Sequence, residues 1–266
     1  NEQNQCQLDE RNDEESHLVC HRLAFFENRI QRGRVTTERA RGKQTVLRRP
    51  DEVGPRRRAH RSVERHRLLR AERALAKAGH TALDCPISGT GSQAQNRDLV
   101  FYASGNSAAI KRLRPMFEAF GRHVYDVGAF GNGSRMKYVA NLLVAIHNVA
   151  GAEALVLAMK GGLDPAMAYT VLSNSAGASR MFQVRGPMMV ANDYLSEVTM
   201  KLSVWQKDMN VIADFAKSVG CPTPMFTATI PLYLAATSSD PMQDTGAVCA
   251  VLEKLADYRR PRRRQR

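Results

Sequence analysis

The chain has 266 residues, 43% of them hydrophobic, and a formal net charge of +13. That is enough chain for one or two domains with a sizeable core, and an ordinary globular composition. The charge is weak evidence for a nucleic-acid partner because of where it sits. Residues 1–80 carry 19 Lys/Arg against 12 Asp/Glu, residues 81–256 carry 14 against 13, and the last ten carry 6 against 1.

Cys6, Cys20, Cys85, Cys221 and Cys249 form no C-x-x-C pair and no regular spacing, so neither a metal site nor a disulfide framework is expected. His123 and His147 lack a partner at metal spacing and read as structural. No apolar run reaches the ~18–20 residues of a membrane span. The polar start NEQNQCQLDERNDEESH does not read as a signal peptide. A soluble cytoplasmic protein is the expectation.

Residues 1–70 form an atypical Arg-rich segment without sustained periodicity, and disorder or loosely held helix is expected there. Arg outnumbers Lys 17 to 2 over residues 1–80 and equals it over residues 81–256. A gene fusion or a reading-frame change upstream of Ala71 would give the same shift in composition. Phe25 and Phe26 are the only aromatics in the segment, so no stacking platform is interleaved with its charge.

From Ala71 the pattern becomes regular. AERALAKAG reads as a short helix closed by Gly79, then HTALDCP, LVFYASG and RHVYDVG read as strands. Asn106 is placed to cap a helix, SAAIKRLRPMFEAFG, ended by Gly121. Residues 71–128 thus read as the closing part of an α/β domain. Asp84, before Cys85-Pro86, reads as a strand-end residue. The loop Ile87–Ala94 imitates the G-x-G-x-x-A dinucleotide fingerprint, but the next strand begins by about Leu99, too soon for the long helix a fingerprint opens. A small-residue loop is expected instead, its bare N–H groups and the Ser88 hydroxyl open to an anion such as a carboxylate.

Residues 129–257 read as wholly helical. Ser134 is the expected N-cap of a long apolar helix ended by Gly161-Gly162. Asp164-Pro165 opens the next, and three further helical segments follow up to a basic tail at 258–266. Lys137 and Asn141 are four apart and share a face of the long helix. An ammonium and an amide aimed together can move a proton at a substrate hydroxyl and hold it. Lys137 is expected in the first helical turn, where the helix dipole would depress its pKa. Lys207-Asp208, beside Trp205, reads as a solvated intrahelical pair.

Two motifs resemble the β-hydroxyacid dehydrogenase family, relatives of 6-phosphogluconate dehydrogenase. DCPISGTGSQA (Asp84–Ala94) resembles its D-x-P-[VI]-S-G-G-x-x-x-A substrate loop, and GNGSRMKYVANLL (Gly131–Leu143) its G-x-G-x-x-x-K-x-x-x-N helix. VWQKDM resembles a later lysine–aspartate motif, and the likeness runs from about Ala71 to Asp257. The resemblance implies a truncated Rossmann-like α/β edge followed by an all-α domain of the 6-phosphogluconate dehydrogenase C-terminal type. It implies NAD or NADP as cofactor, a small 3-hydroxy acid as substrate, and a homo-oligomer. Lys137 would be catalytic. Ser88, Gly89, Thr90 and Asn141 would bind substrate, and Lys207 the cofactor. Thr90 stands where the family has a second glycine. The family's opening G-x-G-x-M-G run has no counterpart before Ala71. A non-catalytic remnant that keeps the helical oligomerisation domain is therefore the alternative, with a basic nucleic-acid binder ranked last.

Overall fold

The computed structural model describes residues 63–261. The expectation of disorder over residues 1–62 lies outside the described residues, as do Cys6, Cys20 and the last five residues of the basic tail. Helix α1 (Val63–Lys77) begins within the Arg-rich segment, eight residues before Ala71, and Gly79 follows it with a positive φ of 79°.

Strands β1 (Leu83–Asp84) and β2 (Ile87–Ser88) both run antiparallel to β3 (Leu99–Gly105), pairing Leu83 with Gly105, Asp84 with Ser104, Ile87 with Phe101 and Ser88 with Val100. The register is constant across all four pairs, so β1 and β2 are one ladder passing through Cys85-Pro86 without a bulge. Proline has no N–H to give, but the Pro86 carbonyl still accepts from the Tyr102 N–H at 3.0 Å. On its other side β3 pairs in parallel with β4 (Gly121–Asp126), the connection being α3 (Ser107–Glu118). Asn106 caps α3 as expected, its side-chain oxygen accepting from the Ala109 N–H at 2.9 Å. Gly121 does not end that helix. It opens β4, where the Phe101 ring fills the place a Cβ would take. A small core of Leu99, Phe101, Ala103, Ile110, Phe117 and Val124 joins helix to sheet.

Between β2 and β3 lies a short helix, α2 (Gly91–Gln95), in the loop read as irregular. Its five residues remain well short of a fingerprint helix.

The rest is helical: α4 (Asn132–Lys160), α5 (Pro165–Ser173), α6 (Arg180–Ala191), α7 (Leu202–Ser218), α8 (Pro224–Ser239), a 3-10 turn (Thr245–Ala247) and α9 (Val248–Leu255). Helix α4 packs against each of the five other α-helices here and against β3. Its inward residues Ala145, Val149, Ala152, Leu155, Val156 and Met159 join Leu202, Trp205, Met209, Ile212, Phe226 and Tyr233 in one core. Over its 29 residues α4 does reach the length and apolarity of a membrane span, contrary to the sequence reading. Interruptions such as Asn141, His147 and Asn148 hide this from a count of consecutive apolar residues, and Asn148 is itself buried, donating to Tyr233 Oη and Thr245 Oγ1.

One buried ion pair ties α6 to the segment that opens the 3-10 turn. Arg185 Nε lies 2.9 Å from Asp244 Oδ1, with both side chains almost wholly removed from solvent. Asp244 also accepts from the N–H groups of Thr199, Met200 and Gly246 and from the Thr199 hydroxyl. Burial works to raise the Asp244 pKa, but the Arg185 guanidinium and these donors outweigh it and hold the carboxyl below the usual range. The C-terminal basic residues are not all free tail charge: Arg260 Nε donates to Glu253 at 2.9 Å, and its other nitrogens donate to the carbonyls of Met189 and Val190 at the end of α6.

Replacing Asp244 by Ala strands a buried guanidinium, and the expected loss is about 3–5 kcal/mol in a urea melt. Because the native pKa is lowered, the wild-type contribution is present above about pH 4 and fades as the pH falls through the native value. The difference between wild type and Asp244→Ala should therefore shrink in acid.

Candidate active site

The site is built where α4 meets the sheet. The helix begins at Asn132 behind Gly131, whose φ is 92° and which has no side chain to cap with. Its first N–H groups would be orphans, yet each has a partner. Asn132 N donates to Ala129 O, Gly133 N to Ser104 Oγ at 3.0 Å, Ser134 N to Asp84 Oδ2 at 2.8 Å, and Arg135 N to Gly131 O. The Ser134 hydroxyl donates to Asp84 Oδ1 at 2.8 Å. Ser134 is therefore not the N-cap. It lies in the first turn, and the capping carboxylate comes from Asp84, fifty residues away. Asp84 is buried and is more than a strand-end residue.

Only a glycine permits this docking. A Cβ on Gly133 would lie 2.4 Å from Tyr102 O, 2.5 Å from Asp84 O and 2.8 Å from Pro86 Cδ. Backbone cannot yield as a flexible side chain can, so Gly133→Ala should lift the helix start off the sheet. The expected result is a lower melting temperature and weaker binding of any ligand that spans the loop and Lys137, both readable by calorimetry.

Lys137 is the sixth residue of α4, in the second turn and not the first. It is half-buried, and its pKa is lowered as expected but for a different leading reason. Burial depresses it, while the neighbouring Asp208 carboxylate pulls the other way. Asn141, one turn on and buried, donates from Nδ2 to Asp208 Oδ2 at 3.2 Å. Asp208 lies on α7, whose apolar stripe of Leu202, Trp205, Met209 and Ile212 faces the core. It is half-buried, and it is the site residue that the sequence reading passed over as half of a solvated pair. Lys207 is exposed, since successive helical residues point about 100° apart.

Ser88 ends β2 half-buried, and Gly89 follows exposed with φ 142°, its Cβ position blocked by Leu99. Thr90 differs from the expectation of bare loop amides. Its N–H donates to Gln93 Oε1 at 3.0 Å and its hydroxyl lies 3.3 Å from the same atom. Gln93 Nε2 in turn donates to Asp98, which pairs with Arg122 and Arg180. Among the described residues no group of His, Cys, Asp and Glu could hold a metal ion. Cys85, Cys221 and Cys249 are free thiols, and burial pushes Cys85 up to about 11 and Cys249 up to about 12, which keeps both protonated.

Two family profiles match this chain in tandem. Residues 60–128 match the NAD binding domain of 6-phosphogluconate dehydrogenase, and residues 131–252 match the NAD-binding domain of NADP-dependent 3-hydroxyisobutyrate dehydrogenase. The first match reaches about ten residues further back than the likeness read from the sequence. L-threonate dehydrogenase of Escherichia coli is 36% identical over 167 residues, which is 62% of this chain and 55% of that protein. The crystal structure of 3-hydroxyisobutyrate dehydrogenase from Salmonella typhimurium superposes with a TM-score of 0.63 at 30% identity, covering 69% of this chain and 65% of that one. The same enzyme from Mycobacterium tuberculosis, solved with L-serine, gives 0.61 at 26% identity, covering 69% and 65%. The chain belongs to the β-hydroxyacid dehydrogenase family. It spans little more than half the length of the E. coli relative.

Asp208→Asn removes the carboxylate that pulls the Lys137 pKa upward, so that pKa should fall further. The pH dependence of Lys137 acylation by an amine-reactive ester, followed by peptide mass spectrometry, should shift to lower pH.

Proposed function

We propose that this chain is an NAD(P)-dependent oxidoreductase acting on the hydroxyl of a small 3-hydroxy acid. The observation that carries the reading is Lys137, an amine with a pKa depressed by burial, set one helical turn from Asn141 and facing Asp208. Such an amine gives up its proton more readily than a solvated lysine does. In the oxidative direction Lys137 takes the hydroxyl proton, and in the reductive direction it returns it. Asn141, fixed by Asp208, orients the ammonium and the substrate oxygen. The Ser88 hydroxyl and the Gly89 N–H receive the carboxylate, with Thr90 completing the loop wall, while the Ser88 N–H stays in the ladder with Val100.

The nicotinamide cofactor, when bound, supplies or accepts the hydride. Its fit to the described residues rests on Lys207, an exposed cation next in sequence to Asp208 and suited to a phosphate-bearing anion. The family profiles, both of nicotinamide-binding domains, support the same assignment. Relatives described as dehydrogenases of L-threonate and 3-hydroxyisobutyrate support a small hydroxy acid as substrate. Exposed Met136, Val139 and Leu143 along α4 support assembly of a homo-oligomer.

Lys137→Ala should abolish turnover of 3-hydroxy acids, at least about 100-fold, without changing the melting temperature. A mutant that keeps its rate sinks the assignment. Fluorescence titration with NADH and NADPH should show saturable binding. No binding up to millimolar cofactor would instead favour a non-catalytic helical module.

A further inference from the structure

We propose that Asp84 is a positioning residue, whose carboxylate fixes the strand leading to Ser88–Gly89 against the helical turn leading to Lys137–Asn141. The inference rests on the reading of Lys137 as the general acid/base and adds a residue that acts through it.

Both arms of this bracket are rigid. From Asp84 to Ser88 the chain is held to β3 in one unbroken register, spanning about 13 Å of extended backbone. From Ser134 to Lys137 the chain is regular helix, about 4.5 Å along its axis. The first residue past the ladder with left-handed backbone is Gly89, at the far end of the loop arm. The spacing of loop and lysine is therefore set where the two arms join.

The join is specific in direction as well as distance. Ser134 presents two donors, its N–H and its hydroxyl, to the two oxygens of one carboxylate, both at 2.8 Å. Ser104, fully buried on β3, braces the same carboxylate. Its Oγ accepts from Gly133 N, and its hydroxyl donates toward Asp84, whose carbonyl oxygen lies at 2.9 Å and Oδ2 at 3.3 Å. Charge-assisted bonds of this kind are short and directional, and an anion at the start of a helix is favoured by its dipole. A cap supplied by the helix's own N-terminal residue would satisfy the same N–H but would not tie it to the substrate strand.

The test uses the full chain with Asp84→Ala and Asp84→Asn, each alone and with Lys137→Ala. Hydrogen exchange should speed up by about tenfold in Asp84→Ala at the amides of residues 133–137, the size expected for a lost cap, and stay unchanged in α8. Asp84→Asn, which keeps an acceptor for Ser134 N, should restore most of the protection. Turnover of Asp84→Ala should fall about 100-fold in kcat with the cofactor KM unchanged, recover in Asp84→Asn, and show no further loss in the Lys137→Ala background. Unchanged exchange at 133–137, or an equal rise throughout the helices, overturns the proposal. So does a localised rise without loss of kcat in a protein whose turnover Lys137→Ala abolishes. Turnover that survives Lys137→Ala, by contrast, overturns the assignment of Lys137 itself, while the exchange result still decides whether Asp84 holds the turn.

Discussion

The first turn of α4 has to lie flat on the sheet, and much else in the structure depends on that contact. The turn has no cap of its own, because Gly131 cannot supply one. Gly133 removes the atom that would hold the helix away, and Ser104 and Asp84 receive the N–H groups that docking would otherwise leave unsatisfied. Bare backbone donors in a buried contact cost about 1–3 kcal/mol each. The serine and the aspartate on the strands are therefore as necessary to the docking as the glycine on the helix.

The same contact explains why a lysine can sit so early in the helix. A cation near a helix start is disfavoured by the macrodipole. Here a carboxylate already occupies that end, and the ammonium lies a turn further in, where Asp208 faces it. Its lowered pKa follows from removal from water first, with the anion on α7 limiting the fall. The bundle thus holds an amine with a tuned affinity for protons without a fully buried charge.

What could be read in advance follows a physical divide. Local patterns were legible: LVFYASG alternates as β3 does, Asn106 caps α3, and Lys137 and Asn141 share a helix face by spacing alone. The all-α character beyond Gly128 followed from apolar periodicity, and the family from two short motifs. Pairings across the chain were not legible. Asp84 reaches Ser134 over fifty residues and Asp208 reaches Asn141 over sixty-seven, and no periodicity encodes either. For the same reason Ser134 was misread as a cap: a serine before an apolar helix normally turns its oxygen to its own backbone, and only the fold shows a carboxylate waiting on a strand. The small loop was read as open for a related reason, since nothing local says that Gln93 will fold back on Thr90.

Helix α4 is 29 residues long, about 43 Å from end to end. It is fastened at its start, while its other end reaches Gly161-Gly162 with Leu157 left 75% exposed nearby. Its distal half is held too, by buried Leu155, Val156 and Met159 in the bundle core, so the rod and the helices around it share the anchorage at the first turn. Lys137 and Asn141 lie on the two turns nearest it. A displacement of the bundle against the sheet is therefore resisted within a turn or two of these side chains.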